Sequence, residues 1–244
     1  ILSAETKKMS MINDIQRIVE PSGVRLSEAA YGKLQGFHEM LMDWNTRIDL
    51  TNVPEEEMPL LHYADSLVPL AYAHLFPFGA TLMDVGTGAG FPGLPLAIGR
   101  GDMRVTLLDS LQKRCAFLEQ VVKELKLPNV TVVHVRAEDA GRGVWRERFD
   151  VVTARAVAPL NILCEYLLPV SKIGGKVLCW KGPSVAQELE AAEMASRVLG
   201  GQMGELLSLP LPGREHYIQV FEKIAHTPKE YPRKAGTPAK KPLG

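Results

Sequence analysis

The sequence has few cysteines and no long apolar run. Its three cysteines are Cys115, Cys164 and Cys179. Their odd number and wide spacing argue against a disulfide framework and a zinc knuckle, so we interpret them as reduced core residues. Charge or proline interrupts every apolar run well before the roughly 18 residues that a membrane span needs, and no basic stretch followed by an apolar segment opens the chain. We expect a soluble cytoplasmic protein without a metal site.

The chain also lacks a net charge, since 28 Lys and Arg balance 28 Asp and Glu. The distribution is uneven, because acidic residues outnumber basic ones in residues 1–80 whereas the last segment is basic and proline-rich. The basic residues of that segment are Lys229, Arg233, Lys234, Lys240 and Lys241. Such a segment can reach a phosphate backbone, and a solvated tail that aids solubility is the alternative that composition leaves open.

The first part of the chain has the pattern of an α-helical cap. Ser27 is a candidate helix N-cap, and an apolar stripe with spacings of three and four follows it. The stripe consists of Ala30, Leu34, Phe37, Leu41 and Trp44. A second helix is expected to start at Pro59, because proline is tolerated in a first helical turn. Residues 1–78 are therefore predicted to form an N-terminal helical cap.

From Thr81 onward, short β-rich runs alternate with helical segments. The runs are TLMDV, VTLLD, VTVVHV, FDVVTA and KVLCW, and residues 205–209 and 216–223 add two more with only a proline and glycine turn between them. The first five are almost continuously apolar, which is typical of parallel strands that are covered on both faces. The last two predict an antiparallel hairpin. The pattern indicates an α/β, Rossmann-like class I methyltransferase fold with a doubly wound, mostly parallel seven-stranded sheet. This domain is predicted to span residues 79–225, and a basic tail follows over residues 226–244.

A glycine-rich turn follows the first strand in the segment MDVGTGAGFPG. Asp84 ends the strand, and Gly86, Gly88 and Gly90 form a G-x-G-x-G pattern. The dinucleotide fingerprint G-x-G-x-x-G fails, because its last position falls on Phe91. Glycines in this pattern let a backbone approach a ligand without phosphates. The turn therefore predicts an S-adenosylmethionine site that includes Asp84 and these glycines.

Three further strand ends carry side chains suited to the same cofactor. Asp109 closes the second strand, where a carboxylate can accept hydrogen bonds from both ribose hydroxyls, and a helix cap is its alternative role. Ala137 and Glu138 follow the third strand, a usual place for contacts to adenine. Arg155 follows the fourth strand, beside the reactive centre. Because ligands of parallel sheets lie across the carboxyl ends of the strands, these positions support one another.

With these motifs the chain resembles the RsmG (GidB) family, whose members methylate N7 of a guanine in the decoding-region 530 loop of bacterial 16S rRNA. The matching segments are WNTRIDLTNV, HYADS, DVGTGAGFPGLPLAI, KRxxFL, RAED, TARAVA, WKG and YPRKAGTP, which together span nearly the whole chain. The last is the most specific. The sequence departs from the family pattern at Asp49, commonly Asn, and at Val135, where Gly often stands.

The resemblance implies roles for particular residues and a partner. Gly86, Phe91, Ala137, Glu138 and Arg155 are implied to bind the cofactor. Arg136 and Arg214 are implied to act near the RNA, and we place them in the catalytic site. The implied partner is 16S rRNA or the small ribosomal subunit, and a monomer is expected.

The chemistry that the sequence lacks agrees with this substrate. No cysteine follows a proline, as in pyrimidine-carbon methyltransferases, and TARA stands where amine methyltransferases commonly carry N/D-P-P-Y/F. Guanine N7 has an exposed lone pair and needs no general base, only alignment. Arginine or lysine near the base should contact O6 or phosphate, and Lys181 is a further candidate. We interpret His62 and Asp65 as a polar cluster at a helix start, slightly in preference to a functional pair.

Two other functions are compatible with the sequence. One is a methyltransferase for a small molecule or a protein, in which the acidic cap closes the site. The other is a non-catalytic ribosome-binding relative that has kept the fold.

Overall fold

A computed structural model describes residues 4–244, with side chains from Met11 onward. The N-terminal part is helical, as predicted. Helix α1 spans Ala4–Val19 and α2 spans Glu28–Asn45. Ser27 caps α2, since its Oγ accepts the Ala30 N–H at 3.1 Å. The apolar stripe of α2 is buried, with Trp44 packed at its edge.

The second predicted helix starts at Pro59, but it is not a regular α-helix. Pro59–Ala64 is a π-helix, Asp65–Leu67 (α3) is α-helical and Val68–Ala71 is a 3₁₀ turn. Shorter 3₁₀ turns cover Glu20–Ser22, Glu55–Glu57 and Ala73–Leu75. π-turns are rare and often occur at functional sites, and this one carries His62.

The rest of the chain forms a seven-stranded sheet. The strands are β1 Thr81–Val85, β2 Arg104–Asp109, β3 Val130–His134, β4 Phe149–Arg155, β5 Ser171–Lys181, β6 Gly201–Ser208 and β7 Tyr217–Lys223. Their order across the sheet is β3-β2-β1-β4-β5-β7-β6. Strands β1 to β5 are parallel, and β7 pairs antiparallel with both β5 and β6. The predicted parallel sheet with a terminal antiparallel hairpin is confirmed.

Helices cover both faces of the sheet. They are α4 Gly93–Gly99, α5 Gln112–Glu124, α6 Ala137–Arg142, α7 Leu160–Leu167 and α8 Leu189–Val198, with a 3₁₀ helix at Pro183–Glu188. Alternate residues of the central strands enter different cores. In β1, Leu82 packs with the cap, α4 and α5, whereas Met83 packs with α7 and α8. This alternation explains why the central strands are apolar on both sides.

The cap packs on the same face as α4 and α5 and contributes to their core. Phe37 of α2 contacts Phe91 and Phe117, with ring centroids 5.1 and 6.4 Å apart. All three rings are buried. The cap and the sheet therefore share one hydrophobic core, and the division of the chain into domains at residues 78 and 79 stays a prediction.

The C-terminal segment packs onto the body of the protein. A short helix, α9, spans Thr237–Lys240. Pro232 and Pro238 are buried, and Arg233 pairs with the buried Glu165. Four lysines remain exposed, at positions 229, 234, 240 and 241. The segment is thus neither a free arm nor a fully solvated tail, and its lysines face outward.

The predicted environment of the cysteines is confirmed, since all three are buried and unpaired. Burial raises the pKa of the Cys179 thiol to about 12 and raises that of Cys164 as well. A thiolate is therefore disfavoured at both positions. Among residues 4–244, no helix has the length and apolar character needed to cross a membrane.

Candidate active site

The glycine turn, residues 86–90, lies at the carboxyl end of β1. Gly86, Gly88 and Gly90 have φ of +68°, +59° and +98°, in the left-handed region that L side chains rarely adopt. The N–H groups of Gly86 and Thr87 both donate to the carbonyl of Leu108 in β2, at 2.8 and 3.1 Å. The turn is thereby fixed to the neighbouring strand, and its conformation requires glycine.

The three glycines differ in what surrounds them. A Cβ at Gly90 would lie 2.5 Å from Leu94 Cδ1, and one at Gly86 would lie 2.8 Å from a Val157 methyl. A Cβ at Gly88 would meet nothing nearer than the Gly86 carbonyl oxygen, at 4.0 Å. Gly86 and Gly90 are therefore needed for packing, whereas Gly88 faces open space. That space fits a ligand that lies close to the backbone.

Asp84 is buried and shapes the turn. Its Oδ2 accepts hydrogen bonds from Thr87 Oγ1 at 2.7 Å and from the Gly93 N–H at 2.9 Å, and its Oδ1 accepts one from Thr153 Oγ1 at 2.8 Å. Burial raises the pKa of this carboxyl, and the hydrogen bonds from Thr87, Thr153 and Gly93 oppose the shift. Asp84 was predicted to bind the cofactor. Its contacts are those of a residue that positions the turn.

Asp109 ends β2 beside the same turn. Its Oδ2 accepts the Gly88 N–H at 2.9 Å, and its Oδ1 accepts the Leu111 N–H at 2.9 Å. The second bond closes a turn just before α5 and is not the helix cap of the alternative interpretation, because no side chain caps α5. The first holds the one glycine of the turn that faces open space. The predicted ribose-binding carboxylate therefore lies next to the predicted backbone site.

Ala137 and Glu138 begin α6, after β3. Glu138 is buried, and its Oε1 accepts the Gly236 N–H of the C-terminal segment at 2.8 Å. Arg136 precedes them with a side chain that is 57% exposed, and its Nε stands 3.7 Å from Glu138 Oε2. Arg136 is thus at the surface next to the predicted adenine contacts.

Phe91 links the glycine turn to the cap. Its ring stacks on His62, with centroids 4.4 Å apart and planes 18° apart, and Arg155 lies 5.2 Å above its centroid. The side chain is buried. The resemblance implied that Phe91 binds the cofactor. Its ring lies in the core, where it can support a ligand but exposes little surface to one.

Arg155 ends β4 and points toward the cap. Its Nη1 donates to the Leu61 carbonyl and to Asp65 Oδ2, both at 2.8 Å, and its Nη2 donates to His62 Nδ1 at 3.0 Å. Asp65 is fully buried, and its Oδ1 is 2.5 Å from Nδ1 of His216. His62 and Asp65 are therefore not a polar cluster at a helix start. They join the cap to β4 and to the start of β7.

His62 is held in its neutral form. Desolvation by burial and the neighbouring Arg155 charge lower its pKa to about 3. Since the guanidinium donates to Nδ1, the ring hydrogen resides on Nε2, which contacts Thr51 Oγ1 at 2.8 Å. At neutral pH this imidazole is an internal hydrogen-bonding group with both nitrogens occupied.

A pocket of about 350 Å³, here called the strand-end pocket, lies beside this cluster at the ends of β4 and β5. It is lined by Val53, Leu61, His62, Arg155, Ala156, Trp180, Lys181, Gly182, Ser184, Glu188, Arg214 and His216. None of its lining residues belongs to the glycine turn. Because β4 neighbours β1 in the sheet, the two regions lie side by side along one edge. Ligands of open α/β sheets bind at this edge, where the strand order reverses.

The structure divides the predicted site residues between these regions. Asp84, Gly86, Gly88, Gly90 and Asp109 gather at the glycine turn, as the bonds above show. Arg155 and Arg214 line the pocket, whereas Arg136 does not.

Sequence reasoning gave no site role to most of the other lining residues, among them Ala156, Trp180, Glu188 and His216. Trp180 belongs to the quoted WKG motif, and its Nε1 donates to the Asp65 carbonyl at 3.0 Å. Ala156 has a left-handed φ of +56°, a strained conformation that is often found at functional sites. His216 had no local signal, since its partner Asp65 lies 151 residues away.

Comparisons with known proteins agree on a family. The model of the family described as rRNA small subunit methyltransferase G matches residues 30–215. A protein named ribosomal RNA small subunit methyltransferase G from Alkaliphilus oremlandii is 45% identical over 224 residues, which cover 90% of this chain and 93% of that one. The protein of the same name from Leuconostoc citreum is 44% identical over 226 residues, covering 91% and 95%.

Solved structures with low sequence identity share the fold. A putative sarcosine dimethylglycine methyltransferase from Galdieria sulphuraria aligns with a TM-score of 0.56 at 11% identity, over 78% of this chain and 98% of that one. M. jannaschii TYW2 in complex with AdoMet aligns with a TM-score of 0.52 at 17% identity, over 73% and 80%. The predicted class I methyltransferase fold is confirmed. By the family match and the identity to its members, the chain belongs to the rRNA small subunit methyltransferase G family.

Proposed function

We propose that this protein transfers the methyl group of S-adenosylmethionine to N7 of a guanine in the 530 loop of bacterial 16S rRNA. The printed names of its relatives describe methyltransferases of the small-subunit rRNA. We place its activity in the cytoplasm, on 16S rRNA or the small ribosomal subunit, and as a monomer. The acceptor atom is proposed from the chemistry of the strand-end pocket.

The observation that carries this proposal is that acids and bases around the pocket are engaged with one another. His62 is neutral and occupied at both nitrogens. Asp65 accepts from Arg155 and His216. Glu188 lies 2.7 Å from Lys181 Nζ and also accepts the Leu160 N–H at 2.6 Å. Such a pocket suits a nucleophile that carries a lone pair and no proton, as guanine N7 does.

The residues at the glycine turn fit the cofactor. The open space over Gly88 allows close approach of a ligand to the backbone. The buried carboxylate of Asp109 has oxygen lone pairs left for hydroxyl donors, because each oxygen accepts one backbone N–H. When bound, S-adenosylmethionine supplies a methyl group activated by a sulfonium.

The chain's own contribution to the reaction is to orient the acceptor. Lys181, Arg214 and His216 line the pocket and can donate hydrogen bonds to guanine O6 or to phosphate oxygens. An arginine bidentate to O6 and N7 would block the nucleophile, so we assign Arg214 to phosphate or to O6 alone. Arg136, at the surface near α6, is assigned to the RNA backbone. Alignment of two reactants is worth about 7–11 kcal/mol of barrier when it is complete.

A second candidate function is supported by the His216–Asp65 pair. A buried aspartate that holds Nδ1 of a pocket imidazole is the arrangement of a general base. It would suit a small molecule or a protein acceptor that loses a proton during methylation. For N7, no base is required. Single-turnover rates of a His216→Gln variant separate these roles, because glutamine cannot accept a proton: the rate should be lost if His216 is the base and largely kept if the acceptor is N7.

The decisive experiment compares 16S rRNA from wild-type and gene-deletion strains by borohydride and aniline cleavage, which cuts at 7-methylguanosine. We expect a cut in the 530 loop of wild-type RNA that disappears on deletion. The deletion is then complemented with Gly88→Ala and, as a matched control, Gly79→Ala. Both glycines have positive φ and open surroundings, but Gly79 precedes β1 at the opposite end of the sheet. Only Gly79→Ala should restore the cut.

Two outcomes would replace the proposal with one of its rivals. Identical cleavage in wild-type and deletion strains would contradict N7 methylation. RNA binding should weaken with salt, with a log-log slope of about −0.7 per contacted phosphate, whereas a small-molecule enzyme should show little effect on substrate binding. A wild-type chain without measurable affinity for S-adenosylmethionine in calorimetry would indicate a non-catalytic relative.

A further inference from the structure

The segment YPRKAGTP, residues 231–238, packs against helices α6 and α7. A Cβ at Gly141 of α6 would lie 2.9 Å from the Pro232 ring, so that helix leaves room for the proline. Pro238 is buried at the start of α9. This packing explains why the segment is the most specific of the matching motifs, although it carries no obvious chemistry. We call residues 231–238 the clamp.

The clamp is fastened to α7 by a buried ion pair. Arg233 donates from Nε and Nη2 to the two oxygens of Glu165, and its backbone N–H also donates to Glu165 Oε1, at 2.7 Å. Glu165 is 1% exposed. A forked contact of this kind requires arginine, because lysine offers a single ammonium group. The Arg233 charge is therefore paired with a buried carboxylate, although the arginine side chain itself is 25% exposed.

The clamp is also fastened to α6 and the residues after it. Arg142 Nε donates to the Pro232 carbonyl at 2.7 Å, and Arg146 Nη1 donates to the Tyr231 carbonyl at 2.8 Å. Both arginines thus bind backbone oxygens of the clamp. A solvated tail would leave these donors and acceptors to water.

The far end of the clamp reaches a predicted cofactor residue. The Gly236 N–H donates to Glu138 Oε1, and Glu138 is 3% exposed. A buried carboxylate without donors costs several kcal/mol, so this bond restrains the position of Glu138. Gly236 has a φ of +80°, which aims its N–H at the carboxylate, and glycine adopts that conformation without strain.

We propose that the clamp is a positioning element for the cofactor site: by holding Glu138 it fixes the start of α6 in the geometry that receives adenine. This inference rests on the proposed function, in which Ala137 and Glu138 contact that ring. The C-terminal segment then acts on cofactor affinity, from inside the protein, through Arg233 and Gly236. Its exposed lysines are left for other partners.

The test is calorimetric titration with S-adenosylhomocysteine, which needs no RNA and no turnover. Arg233→Lys keeps the positive charge but loses the pair of hydrogen bonds to the two carboxylate oxygens of Glu165. The matched control is Arg197→Lys, the same change in an exposed pair with Glu193. We expect Arg233→Lys to raise the Kd roughly fivefold or more, within the usual range of coupling between linked sites, and the control to match wild type. In steady-state assays of Arg233→Lys, the KM for the methyl donor should rise, whereas kcat at saturation should stay at the wild-type value.

A second measurement uses the wild-type protein alone. Because coupling is reciprocal, a ligand that prefers the clamped geometry must stabilise the clamp. Hydrogen exchange at the Gly236 amide should therefore slow when S-adenosylhomocysteine binds, whereas exchange at the exposed amide of Lys229 should not change.

The outcomes distinguish the inference from the proposed function. If the wild type binds the ligand normally but Arg233→Lys has the same Kd, or if exchange at Gly236 does not respond, the positioning role is wrong and the methyltransferase proposal stands. If the wild type binds no ligand, the proposed function fails and the inference fails with it.

Discussion

The carboxyl edge of the sheet has two halves that are built differently. The glycine half, at the ends of β1 and β2, consists of the turn at residues 86–90 and two buried carboxylates that accept backbone N–H groups. The pocket half, at the ends of β4 and β5, consists of side chains from the cap, β4 and the β6–β7 turn that bind one another. One half is made by local backbone geometry and the other by long-range pairing of charges.

The two halves should therefore be sensitive to different kinds of substitution. The glycine half should fail when a side chain is added, because its backbone is left-handed at three positions. The pocket half should fail when a charge is removed, because its ionic groups are buried together and depend on their partners.

Asp65→Ala should destabilise the protein by about 3–5 kcal/mol, because it leaves Arg155 without its buried counter-charge and His216 without the carboxylate that contacts its Nδ1. Urea unfolding at neutral pH measures the loss. The control is Asp43→Ala, which removes an exposed pair with Arg47 and should cost about 0–1 kcal/mol. Equal losses in the two variants would show that the pocket half does not depend on buried pairing.

Gly90→Ala should cost about 3 kcal/mol, because it combines left-handed strain with a Cβ that lies 2.5 Å from Leu94 Cδ1. Gly88→Ala, which meets open space, should cost about 1–2 kcal/mol of strain and weaken cofactor binding instead. Thermal unfolding and calorimetry of both variants give the two quantities. The contrast breaks down if Gly90→Ala is no less stable than Gly88→Ala.

Acid should weaken the pocket half through His62. Its folded pKa of about 3 lies below the ordinary value of 6.5, so the unfolded chain binds a proton that the folded chain excludes. The stability contributed by neutral His62 is therefore complete above pH 6.5 and is lost as the pH falls toward 3. Between pH 7 and pH 5 the wild type should lose about 2 kcal/mol more than His62→Gln. Parallel unfolding curves for the two proteins across that interval would contradict the assignment.

Arg214→Ala should have the smallest effect on folding, under about 0.5 kcal/mol, because the side chain is exposed. It should lower methyl transfer and reduce the salt slope of RNA binding by about 0.7, while the Kd of the cofactor stays as in wild type. Arg136→Ala should behave in the same way. Loss of cofactor binding in either variant would place that arginine in the glycine half.

The two halves also differ in how far the sequence predicted them. The strands, the terminal hairpin, the Ser27 cap and the glycine turn were all predicted, because each depends on residues close together in the chain. The strand pattern predicted Arg155 beside the reactive centre, the resemblance implied that Arg214 acts near the RNA, and both line the strand-end pocket. The sequence did not reveal what Arg155 binds.

The errors have the same physical origin. The sequence predicts a local polar cluster for His62 and Asp65, but their partners are Arg155 and His216, which lie 93 and 151 residues further along the chain. The composition of residues 226–244 favours an arm or a solvated tail. It does not show that Glu165 and Glu138 are buried beneath this C-terminal segment.

The order of the strands along the chain, the turn that requires glycine and the family can all be recognised in the amino-acid sequence. Those properties follow from periodicity, from backbone sterics and from motifs that span a few residues. Which buried charges meet, where the pocket opens and what the C-terminal segment contacts depend on the tertiary structure. Buried charges are satisfied by partners brought together in space, and a pairing across 90 or 151 residues leaves no local pattern for the sequence to show.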